Sequence, residues 1–513
     1  MQAEKKRRVK NSIPRLVFVA LSLLFQIGWL MILILRLNEY SVWISLLTSV
    51  LSLVAVLRLY SQRTTAAMKM PWIMLILAFP VMGLSLFLLI EVFGDLGSNG
   101  KRLRTIRAKL QQKLYQDHGT FTRLEESDRG AANQSRYLLE NAGYPVYRNT
   151  DVTYYGDCAD ALEAMKRDLE QAESFIFMEY FIVRECSAFQ ELRQILERKA
   201  KEGVEVRFMY DDIGSVGYVS LDFARKLNDA GIKCTVFNPA LPVLNLFMNH
   251  RDHRKITVID GRVGYTGGYN LSDEYFGRTF PYGQWKDTGL RMEGEAVRSL
   301  TAAFLEMWQV STREESDGGR YLDVTHSVSA AEGFVQPFGD DPLEQERVAE
   351  NVYLNLAAGA QKTLYFMTPY LVITDEMSSA LSVAAKRGVD VRIITPGIPD
   401  KKAVYAITRS YYAGLAAQGV RIFEYTPGFC HAKQCICDGK TVSIGTSNLD
   451  FRSLYHHFEN NVLLHDCGAV KAVAADFEET FGCCREVTDQ YRSGRKAFLR
   501  IWQCLLRLFA PLV

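Results

Sequence analysis

Three apolar runs dominate the first hundred residues: Leu16–Leu35, Val42–Leu57 and Pro71–Ile90. The first and third hold 20 residues each. A helix of that length crosses the roughly 30 Å hydrocarbon layer of a bilayer. The second run, at 16 residues, is marginal for a full crossing. From Lys101 to about Arg136 the pattern turns polar and charged, which predicts a linker with helical character. Beyond it, short apolar segments alternate with helical stretches, and their order recurs. Phe175–Tyr180 lines up with Leu364–Tyr370, Gly203–Phe208 with Gly388–Ile393, and Ala230–Phe237 with Gln418–Tyr425. Strands alternating with helices predict βαβ units with right-handed crossovers. The fold class expected is therefore α/β: two similar domains, each a mainly parallel mixed sheet flanked by helices, after an N-terminal transmembrane helical region. The boundaries predicted are a membrane region at 1–95, a linker at 96–135, domains at 136–325 and 326–490, and an amphipathic C-terminal helix at 491–513.

Charge changes the picture only locally. The chain is near neutral, at +2, which argues against a nucleic-acid binder. Its cations cluster at Lys5, Lys6, Arg7, Arg8 and Lys10 and again at Lys101, Arg102, Arg104, Arg107 and Lys109. Both clusters favour the cytoplasmic side and anionic headgroups. Three full spans would part them, whereas a re-entrant Val42–Leu57 would keep both inside. No cleavable signal peptide fits. Ten irregularly spaced cysteines suit reduced thiols, consistent with catalytic domains that face the cytoplasm. At the C-terminus, Leu499, Trp502, Leu505, Leu506 and Phe509 fall at helical spacing. That pattern suits an interfacial helix or one docked on its own domain.

The chemistry lies in a motif that occurs twice. His253-Arg-Lys255-Ile-Thr-Val-Ile-Asp260 and His431-Ala-Lys433-Gln-Cys-Ile-Cys-Asp438 both read H-x-K-x-x-x-x-D. Each is followed at fixed spacing by a glycine (Gly267, Gly445) and an asparagine (Asn270, Asn448). Duplication at this spacing is an internal repeat. In an extended segment His253 and Lys255 share one side, as do His431 and Lys433. Imidazole, ammonium and amide together make a pocket for an anionic phosphate, and the lysine lowers the histidine pKa. Two such sites face to face supply a nucleophile and a proton donor across a phosphodiester without a metal. Asp260 and Asp438 could orient an imidazole, but Asp-Gly after a strand also makes a turn. Gly267 and Gly445 fit either close packing or phosphate contact. Asp287 and Glu459 fit either carboxylates that support the histidines from behind or solvated charges.

These residues resemble the phospholipase D superfamily, whose signature is the duplicated H-x-K-x-x-x-x-D. Asn249–Asn270, Trp285-Lys-Asp-Thr288 and Gly445–Ser453 are similar to bacterial cardiolipin synthases within it, and the resemblance runs from about residue 36 onward. It implies a membrane-bound phosphatidyltransferase that makes cardiolipin and glycerol from two phosphatidylglycerol molecules. It also implies a phosphatidyl-histidine intermediate on one motif histidine with the other as the acid; His253 is taken as the nucleophile and His431 as the acid. A lipid hydrolase using water, or a non-catalytic membrane scaffold, are the alternatives. Two departures stand out: Gly289 where the resemblance leads one to expect a histidine, and one extra apolar run. The partners implied are phosphatidylglycerol and anionic lipid of a bacterial cell membrane, with no nucleic acid; an oligomer is not indicated. His250, His253, His456 and His457 lack the spacing of a zinc site, and no nucleotide fingerprint appears. No metal or other cofactor is expected.

Overall fold

The computed structural model describes residues 12–38, 42–62, 64–94, 98–240, 250–315, 318–328, 331–492, 506–508 and 510. Helix α1 spans Ser12–Asn38 and α2 Val42–Ser61. Among the described residues no helix is long and apolar enough to cross a membrane, so the expected spans are not confirmed. The third apolar run is not a single helix. It forms α3 (Ala66–Ala78) and α4 (Pro80–Gly94). Phe79 between them has φ −135° and ψ 74°, driven off the α region by the ring of Pro80. Helix α4 then doubles back along α3. Trp72 and Phe87 meet edge to face with centroids 6.3 Å apart. Ile76, Leu84 and Phe87 share a buried cluster with Ala55 and Leu59 of α2. Gly83 permits the approach, since a Cβ there would lie 2.6 Å from the Ile76 Cα. Helix α5 (Ser98–Gln111) buries Leu103, Ile106 and Leu110 in the same core as the helix Val297–Thr312.

The first half contributes strands β1 (Thr150–Tyr155), β2 (Phe175–Tyr180), β3 (Glu205–Asp211), β4 (Lys233–Phe237), β5 (Arg251–Asp252), β6 (Lys255–Ile259), β7 (Val263–Gly267), β8 (Gln284–Lys286) and β9 (Gly289–Gly294). The second contributes β10 (Phe334–Asp340), β11 (Thr363–Met367), β12 (Asp390–Pro396), β13 (Arg421–Tyr425), β14 (Gly428–Cys430), β15 (Gln434–Cys437), β16 (Thr441–Gly445), β17 (His457–His465) and β18 (Cys484–Glu486). One sheet runs β1-β9-β7-β6-β2-β3-β4; the other repeats that order as β10-β17-β16-β15-β11-β12-β13 and adds β18 at its edge. The internal repeat is therefore a repeat of topology as well as of motif.

The sheets are not mainly parallel. Along the main order of the two sheets, only β2-β3-β4 and β11-β12-β13 pair in parallel, while the motif strands and their sheet neighbours are antiparallel. The reason is connection length. Asp260-Gly-Arg262 and Asp438-Gly-Lys440 are three-residue turns, and a parallel partner would need a crossover of a dozen residues or so. One apolar core joins the halves: Ile256, Val258 and Met292 of one sheet, Val335, Ile436 and Val462 of the other, and Phe304 and Trp308 of the helix Val297–Thr312. At the C-terminus, Leu499, Trp502, Leu505 and Phe509 lie outside the described residues. Leu506 and Ala510 pack on the second half, and Arg507 lies over Tyr411.

Candidate active site

Two short parallel pairings cross between the halves and build the site. Strand β5, just before His253, pairs with the start of β17, so that Arg251 faces His457 and Asp252 faces Phe458. Strand β14, just before His431, pairs with β8, so that Phe429 faces Trp285 and Cys430 faces Lys286. The backbone locks both contacts: His253 N donates to Phe458 O (3.0 Å) and His431 N to Lys286 O (2.7 Å). The next residue on each partner strand is an acid. Each motif histidine is thereby delivered to a carboxylate from the opposite repeat.

His253 Nδ1 lies 3.0 and 2.9 Å from the Glu459 oxygens. Glu459 is held in turn by Ser453 Oγ (2.5 Å) and by the hydroxyl of Thr446. His431 Nδ1 lies 2.6 Å from Asp287 Oδ2. Gly268 makes room for that carboxylate, because a Cβ there would fall 2.0 Å from Asp287 Oδ1. Both carboxylates thus serve as orienting partners. Burial, then the charges of Lys255 and Lys433, push both imidazoles well below their ordinary range. Two neutral rings result, each with its Nδ1 proton committed to a carboxylate and its Nε2 lone pair available.

The lysines stand behind the histidines. Lys255 and Lys433 are fully buried, and their ammonium groups donate to the carbonyl oxygens of His253 and His431. Lys433 Nζ also lies 2.7 Å from His431 Nδ1. That nitrogen cannot both donate to Asp287 and accept from Lys433, and the closer carboxylate takes it. Burial lowers Lys255 to about 7 and Lys433 to about 8, and raises Asp287 to about 7.

Both histidines, Asn270 and Asn448 line one cleft of about 630 Å³ between the halves. Asn270 is largely committed: Oδ1 accepts from Ile182 N (2.9 Å) and Nδ2 donates to Tyr275 Oη (2.9 Å). Asn448 Oδ1 has no hydrogen-bond partner among the described residues.

A catalytic role for Asp260 and Asp438 is corrected. Asp260 accepts from the backbone N–H groups of Glu173, Ser174 and Phe175 at 2.7–2.8 Å. Asp438 does the same for Gln361, Lys362 and Thr363 at 2.7–2.9 Å. Each has a positive φ, 53° and 52°, which Asp tolerates better than most residues. They tie the end of the motif strand to the start of β2 and β11, a strand's length from the histidines. Gly267 and Gly445 likewise serve packing: a Cβ would meet Thr288 O at 2.4 Å and Asn460 O at 2.3 Å. At Gly289 a side chain would strike the Tyr269 ring at 2.6 Å, so Tyr269 occupies the space a histidine would need.

The residues that sequence reasoning missed are the walls. By the strand pairings His457 occupies, against His253, the place Trp285 occupies against His431. Ring centroids are 5.3 and 5.5 Å apart respectively. The repeat concealed this because Asp287 follows its motif histidine by 34 residues and Glu459 by 28. His253, His457 and Glu459 are also the group of potential metal ligands among the described residues. Their chemistry does not fit a resident cation, since Glu459 already accepts three hydrogen bonds and two buried lysines oppose a dication.

Two topologically equivalent halves that share one paired-histidine cleft define a phospholipase D-like protein. The family model described as "Cardiolipin synthase, PLD-like domain" matches residues 165–308 and 353–481. The chain belongs to that family and is an enzyme of the cardiolipin synthase type. It is 34% identical over 454 residues to a cardiolipin synthase of Halalkalibacterium halodurans, covering 86% of this chain and 88% of that one. It is 41% identical over 463 residues to an uncharacterized protein of Streptococcus mutans, covering 90% and 99%. Among solved structures, the phosphatidylserine synthase of Haemophilus influenzae shares the fold. Its TM-score is 0.55 at 13% identity, covering 74% of this chain and 97% of that one.

Proposed function

We propose that the protein transfers a phosphatidyl group from one phosphatidylglycerol to the headgroup hydroxyl of a second, giving cardiolipin and glycerol. The observation that carries this reading is the pair of neutral imidazoles, each held at Nδ1 by a carboxylate of the other repeat on a shared cleft. In the first step His253 Nε2 attacks phosphorus, the P–O bond to glycerol breaks, and protonated His431 gives its proton to the leaving alkoxide. In the second, His431 takes the proton of the incoming hydroxyl as that oxygen displaces His253. The cationic form of His431 needs the Asp287 carboxylate beside it, and the substrate's phosphate anion raises its basicity further. Lys255 and Lys433 add positive field from behind the rings. Phosphodiester replaces phosphodiester, so the reaction is reversible by mass action.

The test uses labelled phosphatidylglycerol as sole lipid in mixed micelles, with wild type and His253→Ala. Labelled cardiolipin plus free glycerol, absent in the variant, is the expected result. Phosphatidic acid alone would make the protein a hydrolase instead.

The location proposed is the bacterial cell membrane, with the catalytic halves on the cytoplasmic side. With α4 returning along α3, the third run rather than Val42–Leu57 is taken as re-entrant, an arrangement that would keep both basic clusters on one side, as the charge rule prefers. Cys483 is exposed. It should react with a membrane-impermeant maleimide only after cells are permeabilised; labelling of intact cells would reverse the orientation.

A further inference from the structure

Beyond residue 100, six large apolar side chains among the described residues are strongly exposed: Tyr115, Tyr218, Leu221, Phe280, Val383 and Ile398. Four of them lie on or beside segments that line the active-site cleft. Tyr218 (37% exposed) lines it directly. Leu221 (59%) lies three residues further along the same loop. Phe280 (62%) immediately precedes Pro281 and Tyr282, both of which line the cleft. Ile398 (42%) reaches Gly283, where its Cδ1 lies 3.1 Å from the position a Cβ would take. Both halves of the chain contribute. Isolated exposed apolar residues are ordinary, but a ring of them at one opening marks an interaction surface.

Cations accompany this ring. Arg184 lies over the Tyr218 ring at 4.3 Å and lines the cleft with Lys401. The side chain of Arg225, in the helix that follows Leu221, is 72% exposed. Apolar side chains interspersed with Arg and Lys match a headgroup layer, where acyl boundary and phosphate lie a few ångströms apart. The start of the N-terminal hairpin also packs on the half that supplies Ile398. Ala67 and Met68, at the start of α3, pack on the cluster that contains Tyr411 and Ala510. Ala510 lines the cleft, as does Val404 of the Tyr411 helix.

We propose that Tyr218, Leu221, Phe280 and Ile398 form a rim that sits in the headgroup layer of the bilayer, with Arg184, Arg225 and Lys401 against lipid phosphates. The cleft then opens directly onto the membrane. A phospholipid raises its phosphodiester to the histidines while its acyl chains stay among their neighbours, so that neither lipid substrate nor lipid product crosses water and only glycerol leaves into it. This inference rests on the phospholipid reading of the same cleft, and its test is separable from that reading.

The full-length protein is reconstituted into phosphatidylglycerol vesicles with and without acyl-brominated lipid. The extra fluorescence of Phe280→Trp over wild type is then recorded. Blue-shifted emission quenched by bromine is expected. Unquenched emission at the wavelength of a solvated indole would overturn the proposal, and so would a blue shift without quenching, which would assign the rim to a protein contact. A second arm reads activity in Leu221→Asp/Phe280→Asp. A fall of about tenfold or more is expected on vesicle phosphatidylglycerol, with less than about a twofold change on a short-chain phosphatidylglycerol kept below its micelle threshold. Equal loss on both substrates would overturn the rim. If wild type turns over neither lipid, the phosphatidyltransferase reading fails while the quenching still reports where the rim lies.

Discussion

The surroundings of His253 and of His431 share a backbone plan and differ in their walls. Each ring follows a short strand paired with the opposite half, and each gives Nδ1 to the carboxylate that ends that pairing. Around His431 the walls are aromatic: Tyr275, Trp285 and Phe429 stand with centroids 5.3, 5.5 and 5.8 Å away. Around His253 stand Phe181 at 4.9 Å and His457 at 5.3 Å, the latter with neither ring nitrogen hydrogen-bonded among the described residues and its Nδ1 3.7 Å from Glu459 Oε1. The carboxylates differ as well. Glu459 accepts from two hydroxyls besides His253. Asp287 has a backbone N–H besides His431, and burial raises it to about 7. Duplication supplied two equivalent imidazoles, and what packs against each separates a firmly held site from a protonation-sensitive one.

The sharpest way to break this comparison is to remove one histidine at a time. His253→Ala and His431→Ala should each cost about 10⁴-fold or more in turnover, because neither role has a substitute. The two differ in what remains. Quenching of His431→Ala in detergent at mildly alkaline pH, where a phosphorus–nitrogen bond survives, with a substrate bearing a good leaving group should trap lipid on the protein, and His253→Ala should trap none. The reverse result would exchange the roles.

Next come the carboxylates. Asp287→Asn and Glu459→Gln should each lower kcat by about 10²- to 10⁴-fold with KM little changed, since an amide permits the wrong imidazole tautomer. Equal rates for wild type and Asp287→Asn would remove that residue from the mechanism.

The pH profile sharpens the difference between the halves. Asp287 sits above the usual carboxylate range, so as pH falls through about 7 it takes up a proton and stops accepting from His431. Lys255 sits below the usual lysine range, so as pH rises through about 7 it loses its charge. Activity should therefore be bell-shaped with a narrow maximum near neutrality. Glu459→Gln should keep the acid limb of its residual activity, whereas Asp287→Asn should flatten it. An acid limb that survives in Asp287→Asn would assign it to another group.

The smallest effect on chemistry is expected at the turns. Asp260→Ala and Asp438→Ala each leave three N–H groups without their acceptor and should cost about 2 kcal/mol of stability. Turnover per folded molecule should stay within about twofold, as checked by denaturant unfolding alongside active-site titration.

Much of this organisation is legible in the chain alone, because it depends on local spacing. H-x-K sets an imidazole and an ammonium within two residues, and its duplication announces two equivalent halves. The Asp-Gly pairs announce turns, and three-residue turns between apolar segments imply hairpins. That signal was available against the mainly parallel sheet expected. Pro80 within the third apolar run was likewise a local signal, since the residue before a proline leaves the helix.

Other features depend on residues far apart in sequence, and only the tertiary structure decides them. His253 meets Glu459 across 206 positions and His431 meets Asp287 across 144. No periodicity links such pairs, because they are set by how one half docks on the other. The same docking puts His457 where the repeat would place Trp285, and leaves Asp260 and Asp438 a strand's length from the chemistry their motif suggests. Sequence spacing determined which groups are equivalent. Burial and cross-domain pairing decided their protonation and the solvent each one meets, because a pKa is set by the surroundings of a group rather than by its neighbours in the chain.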